Sequence, residues 1–321
     1  MELHKNFHGR PFSLIDVRNY QIIYRKDTKV VLVSSFVFLL IICVSSSIPI
    51  AYAQKAIILN FDDDWKGQFT HAVPILEKYG FNATFFVTTG CLTYQNTSFC
   101  NNVGGDSAMT WEDIATLSEM GHDIQSHGAS HKDLTTVSAA DLEDEVGGSK
   151  QSLLEHGYNS TIFSTPYASG EGNSTISNTL SKYYEIGRRG YAPLVYLDST
   201  DRYSLPVWVD YDLQAMYRDN STMIFNAFVE AIISQTQYNT NGTINAIPII
   251  VYHNVDYRYS TNSSNIPPEW LDSTIDVNLF EQEMKYLYDN GFQVLTMSDL
   301  GYNQTSNSLY IKNDAYLNLT E

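Results

Sequence analysis

Residues 56–65 read Ala56-Ile57-Ile58-Leu59-Asn60-Phe61-Asp62-Asp63-Asp64-Trp65. A short apolar run that stops in three carboxylates has the pattern of a strand buried on both faces, as in a parallel α/β sheet. In barrels of that class, chemistry gathers where strands end and loops begin. Asp62, Asp63 and Asp64 fall at such an end. Three adjacent carboxylates repel one another, so they call for a cation or a shared proton. A solvated acidic turn is the competing reading, and the rest of the chain has to decide between them.

Downstream, the pattern repeats. Gly67 to Tyr79 carries Phe69, Val73 and Leu76 at helical spacing and stops at Gly80, a helix-ending residue. Ala83 to Val87 then reads as a strand. Thr110 to Met120 is a predicted helix with Thr110 as N-cap and Asp113 three residues on. It is followed by a short strand at 122–127, a helix over 139–156 and a strand at 161–163. Further units are a helix near 174–184, a strand near 184–186, a helix near 222–233 and a strand over 246–252. A helix near 278–288 and a last strand at 292–296 complete the series, with 255–275 as a long surface loop. About seven strands alternating with helices predict an α/β barrel or a doubly wound sheet.

The 321 residues suffice for one large α/β domain, and the net charge of −17 disfavours nucleic acid as a partner. Residues 1–53 hold six of the Lys/Arg and three of the Asp/Glu, which leaves 13 basic against 33 acidic residues, or −20, beyond them. Val30 to Val44 is 15 residues without a charge. It follows Arg18, Arg25, Lys26 and Lys29 and precedes Ala51-Tyr52-Ala53, a small-x-small cleavage pattern. Residues 1–53 therefore read as a basic region plus a signal peptide, with an uncleaved membrane anchor through 30–53 as the alternative. Either way, residues 54–321 are expected to form the functional domain outside the cytoplasm, secreted or held at the cell surface. Nine Asn-x-Ser/Thr sequons between Asn82 and Asn318 agree with a secreted glycoprotein. Cys91 and Cys100, an even pair, suggest a disulfide that would contribute about 2.7 kcal/mol in the chain-entropy account.

His127-Gly128-Ala129-Ser130-His131 sets two imidazoles at i, i+4 just after a strand, a spacing suited to zinc. Asp-Asp at one strand end, His-x-x-x-His at a second, Pro166-Tyr167 at a third and Ile249-Ile250-Val251-Tyr252-His253 at a fourth occur in that order. This series resembles the polysaccharide deacetylase family, the NodB-type carbohydrate esterases, from Ala56 to about Leu300. The resemblance implies a distorted (β/α)7 barrel with a divalent metal, usually zinc, at the strand C-termini. It implies Asp63, His127 and His131 as metal ligands, Asp62 as general base, His253 as general acid, and the backbone N–H at Tyr167 as oxyanion donor. The implied activity removes N- or O-acetyl groups from a carbohydrate polymer; a binding relative of the same fold with little catalysis is the alternative. Neither a Gly-x-Ser-x-Gly elbow nor a His-Glu-x-x-His helix occurs.

Several positions depart from the family pattern. Asp64 stands where the family has Gly, adding a side chain and a charge beside the base. Gly128 replaces a Ser/Thr, and Lys132 a Pro. Ser164 replaces the arginine that steadies the base, with Arg188 or Arg189 as candidate substitutes. For a further acidic motif the candidates are Asp198, Asp201, Trp208 and Asp210.

Overall fold

The computed structural model describes residues 54–94, 108–199, 201–209, 217, 220–258 and 271–312. The proposed signal or anchor segment 1–53 lies outside them, as do Cys100, Asp210 and the sequons at Asn96, Asn262 and Asn318. Among the described residues no helix is long and apolar enough to cross a membrane.

The first strand, β1 (Ala56–Asp62), is buried at every residue. Strand alternation sends Ile57, Leu59 and Phe61 to the helical layer, where Phe61 stacks on Phe85 at 4.9 Å and meets Phe280 edge-on at 5.9 Å. Ala56 and Ile58 point the other way, into a second cluster with Phe86, Ile162, Ile186, Val207 and Val251. Truncating a ring such as Phe61 to Ala should cost about 3–5 kcal/mol.

Six more strands complete a ring: β2 (Thr84–Val87), β3 (Asp123–Ser126), β4 (Ile162–Ser164), β5 (Ile186–Tyr191), β6 (Leu205–Val209) and β7 (Ile249–Tyr252). Neighbours pair in parallel throughout, and β1 pairs with β2 through Asn60–Asp62 and with β7 through Ile58–Phe61, which closes the barrel at seven strands. An eighth strand, β8 (Gln293–Leu295), lies beside the first half of β1. This wedge, a single paired position between β3 and β4, and a register shift between β5 and β6 are the distortions. The expected (β/α)7 barrel is therefore present.

The helices between strands follow the sequence pattern. Val73–Tyr79 ends on Gly80 in the left-handed region, and Trp111–Glu119 starts with the reciprocal Thr110–Asp113 capping box. A helical run from Ala139 to Glu155, broken by one π turn, returns the chain to β4. Ser221–Ile233 precedes β7, and Val277–Asp289 precedes β8.

Some expectations need correction. The strand placed at 184–186 begins at Ile186 and continues to Tyr191, because Gly187 packs against Tyr203 and leaves no space for a side chain. β6 had no counterpart in the reading, and neither did the hairpin of Leu300–Asn303 with Ser308–Ile311. The strand over 246–252 is split at Pro248, as a residue without an N–H requires. At the two ends of the loop assigned to 255–275, Asn254–Asp256 and Thr274–Asp276 pair in parallel.

Candidate active site

Because side chains alternate along a strand, the inward residues at the C-terminal end of the barrel are fixed by parity. Asp62 on β1, Ser164 on β4 and Arg188 on β5 share the inner face, and His127 follows directly on β3. Asp62, Asp63, His127, His131, Thr165, Tyr167, Arg188, Tyr191 and His253 all line one cleft of about 410 Å³. The four predicted strand ends thus come together.

Asp63, His127 and His131 are buried, with one ligand atom from each lying within 4.8 Å of the others. Asp63 Oδ1 sits 3.1 Å from His127 Nε2 and 3.1 Å from His131 Nε2. That oxygen makes no directed hydrogen bond. His127 Nδ1 is 2.9 Å from the Ser164 carbonyl, which only accepts, so in the neutral ring Nδ1 carries the proton and Nε2 keeps its lone pair. A carboxylate oxygen and two imidazole nitrogens are preferred donors for zinc, so these residues fit a divalent ion. Among the described residues no other such group of three His, Cys, Asp or Glu occurs. Burial alone would raise the Asp63 carboxyl, but His131, His127 and His253 beside it together outweigh that and hold the group well below the usual range. Burial would likewise lower His127, yet the Asp62 and Asp63 carboxylates beside it raise it.

Asp62 lies beside this group, with Oδ2 3.8 Å from His127 Nε2. Arg188 Nη2 donates to Asp62 Oδ1 at 2.6 Å and Oδ2 at 2.5 Å, and to Ser164 Oγ at 2.5 Å. The choice left open between Arg188 and Arg189 is thereby decided. Arg189 points outward and donates to Ser204 and Ser177. His253 lies across the cleft, its Nε2 3.8 Å from Asp63 Oδ2.

Tyr167 has φ +60° and is exposed, with its ring edge-on to His131 at 4.7 Å. Tyr191, also exposed, donates its hydroxyl to the Tyr167 carbonyl at 3.3 Å.

The departures have local explanations. Asp64 takes φ +55°, a region that Asp tolerates better than most side chains. Its Oδ2 accepts the Thr88 N–H at 2.8 Å, and its carbonyl accepts the Met109 N–H at 2.8 Å. Burial pushes the Asp64 carboxyl well above its usual range, against the Thr88 hydrogen bond. Burial thus disfavours the extra charge expected beside Asp62. Gly128 has φ +92°, and a Cβ there would meet Glu145 Oε2 at 3.1 Å. Glu145 in turn accepts the N–H groups of Ala129 and Ser130, and also bonds the Ser130 hydroxyl, so it grips the histidine loop that the missing Ser/Thr was expected to support. Lys132 is half-exposed near Asp141 and Glu145.

Two contributors went unrecognised in sequence. Gln68 is fully buried and donates Nε2 to the carbonyls of Asp62 at 2.5 Å and His253 at 2.8 Å, so one amide ties both loops. Glu145 is the other. A polar residue at a buried helical position was the available signal in both cases. Of the candidates for a further acidic motif, Asp198 and Asp201 are exposed, and Trp208 packs outward against Phe228.

Residues 51–184 match the family model described as polysaccharide deacetylase. The Bacillus subtilis (strain 168) protein YxkH, which carries a provisional polysaccharide deacetylase name, is 24% identical over 136 residues, covering 42% of this chain and 44% of that protein. The match therefore spans less than half the length of that relative. Among solved structures, the peptidoglycan deacetylase PdaC from Bacillus subtilis is 18% identical with a TM-score of 0.46, over 76% of this chain and 89% of that one. BA3943 from Bacillus anthracis, described as a CE4 family pseudoenzyme, is 11% identical with a TM-score of 0.48, over 77% of this chain and 65% of that one.

Proposed function

We propose that this protein is a metal-dependent hydrolase that removes N- or O-acetyl groups from a carbohydrate polymer outside the cytoplasm. The observation that carries the reading is the convergence of Asp63, His127 and His131 in a cleft flanked by Asp62 and His253. Asp63, His127 and His131 would hold the divalent ion, most simply zinc. When bound, such an ion lowers the pKa of water and polarises a carbonyl oxygen. Asp62 accepts the proton that the attacking water loses, as the acetyl carbon forms its new C–O bond. His253 gives a proton to the departing nitrogen or oxygen as its bond to that carbon breaks, leaving acetate and a free amine or hydroxyl. The backbone N–H at Tyr167 would steady the oxyanion, a kind of donor worth about 10²–10³ in rate. The exposed rings of Tyr167 and Tyr191 at the mouth offer apolar faces to a sugar.

Export is supported by the basic and apolar segments before residue 54 and by Cys91, which is disulfide-bonded. Of the sequon asparagines described, Asn82, Asn159, Asn220, Asn241 and Asn303 are exposed and Asn173 is half-buried. The test is acetate release by the purified protein from a panel of acetylated polysaccharides, with and without chelator, alongside metal analysis. Chelator-sensitive acetate release with one bound ion per chain supports the proposal. Bound ion with no acetate from any polymer would favour a binding role, and absence of metal from freshly purified protein would overturn the ligand assignment.

A further inference from the structure

Arg188 is a buried cation, only 4% exposed, on the floor of the cleft. Burying a guanidinium is expensive unless it is paired. Among the described residues its one carboxylate contact within salt-bridge distance is Asp62, reached at both oxygens through Nη2. The same nitrogen donates to Ser164 Oγ, which itself lies 3.5 Å from Asp62 Oδ2. The guanidinium carbon also lies over the Phe86 ring, 4.7 Å from its centre. Ser164 and Arg188 are register partners on adjacent parallel strands, and both point inward. The two Cα positions are thus neighbours aimed at the same carboxylate.

We propose that Arg188 and Ser164 form an interchangeable positioning pair that holds the Asp62 carboxylate in its working pose. The arginine can sit on either strand of the pair. This rests on the assignment of Asp62 as base. Arg188 touches no reacting atom; it acts through Asp62. Ser164 also reaches the metal group, because its carbonyl orients His127. One residue therefore links the base to a ligand, and the side chain at 164 can change while that carbonyl stays.

The test compares the full chain with Arg188→Ala, Arg188→Lys and the exchange Ser164→Arg with Arg188→Ser. The readouts are kcat and KM for acetate release, bound metal, thermal melting, and crystal structures of Arg188→Ala and of the exchange variant. Arg188→Ala is expected to lose about 10²-fold in kcat with KM changed less than about threefold and metal retained, as misplacing a reacting group does. Arg188→Lys recovers part of the loss. The exchange variant returns to within about tenfold of the starting kcat, and millimolar guanidinium partly rescues Arg188→Ala. An Arg188→Ala protein with unchanged kcat overturns the proposal, as does a folded, metal-bound exchange variant as slow as Arg188→Ala. If Arg188→Ala does not fold, the exchange variant, which keeps one buried cation for Asp62, carries the test. If the starting protein releases no acetate from any polymer, the deacetylase reading fails by itself. The structures still decide the positioning: Asp62 turned away in Arg188→Ala supports it, and Asp62 unmoved there, or left unpaired in the exchange variant, overturns it.

Discussion

Acid should weaken this fold through His122, a histidine far from the cleft at the start of β3. The ring is 5% exposed, and Nδ1 accepts the Ala83 N–H at 3.2 Å. One edge meets Phe85 at 5.2 Å, and Nε2 has no hydrogen-bond partner. Nothing nearby rewards a second proton, so burial pushes the imidazole down to about 4 from its ordinary 6.5. Between those values the unfolded chain binds a proton that the folded chain refuses. Stability therefore falls as pH drops from about 6.5 toward 4, and the full loss is present below 4. A gap of about 2.5 units at 1.36 kcal/mol each comes to about 3 kcal/mol. The perturbation is His122→Asn, whose carbonyl oxygen can still accept the Ala83 N–H but does not titrate. Denaturant unfolding at steps from pH 7.5 to 4 should show the unsubstituted chain more stable at pH 7.5. That margin should shrink by about 3 kcal/mol as the pH falls to 4. Other carboxylates add their own pH dependence, which the difference between the two chains removes. Parallel stability curves for the two proteins would refute the reasoning.

Asp63→Ala and His127→Ala should each lose bound metal and activity together, whereas Asp62→Ala should keep the metal and lose activity; metal analysis beside acetate release separates them. Gly128→Ala forces a side chain into φ +92° and against Glu145 Oε2. It should cost about 1–3 kcal/mol by melting and weaken metal binding about tenfold or more, read by chelator competition. Gln68→Leu removes the donor shared by the Asp62 and His253 carbonyls. It should cost about 1–3 kcal/mol by thermal melting and slow turnover with metal content unchanged.

The barrel was legible because its strongest signals are local. A continuous apolar run such as Ala56–Leu59 in β1, a capping box at Thr110 and a helix-ending Gly80 each state their element within a few residues. The possible metal-binding group was legible because its motifs, Asp62-Asp63 and His127-x-x-x-His131, are short and sit at strand ends. Arg188 was not, since Gly187-Arg188-Arg189-Gly190 has the composition of a loop. Only tertiary packing shows it as strand: Gly187 is required by the approach of Tyr203, and Arg188 continues the inward parity of Ile186. Once the strand is extended by that parity, the choice between the two arginines follows. β6 was hidden by Pro206, and the Gln68 and Glu145 contacts were hidden because their partners are backbone groups far along the chain.

The backbone itself marks the site. Seven non-glycine residues among those described have positive φ, and Asp63, Asp64, His131, Tyr167 and Ala168 are five of them. Each such conformation costs about 1–3 kcal/mol and persists only where its surroundings impose it. Here the impositions are visible. Thr88 and Met109 tether Asp64, Glu145 tethers the loop before His131, and the Thr165 carbonyl accepts the Ala168 N–H at 3.0 Å. A fold under no demand at these loops would relax them, because the rest of the barrel closes without them. The strain is concentrated on the residues that face the Asp63–His127–His131 group. That distribution is what a preorganised site requires: the cost is met on folding, before any substrate arrives.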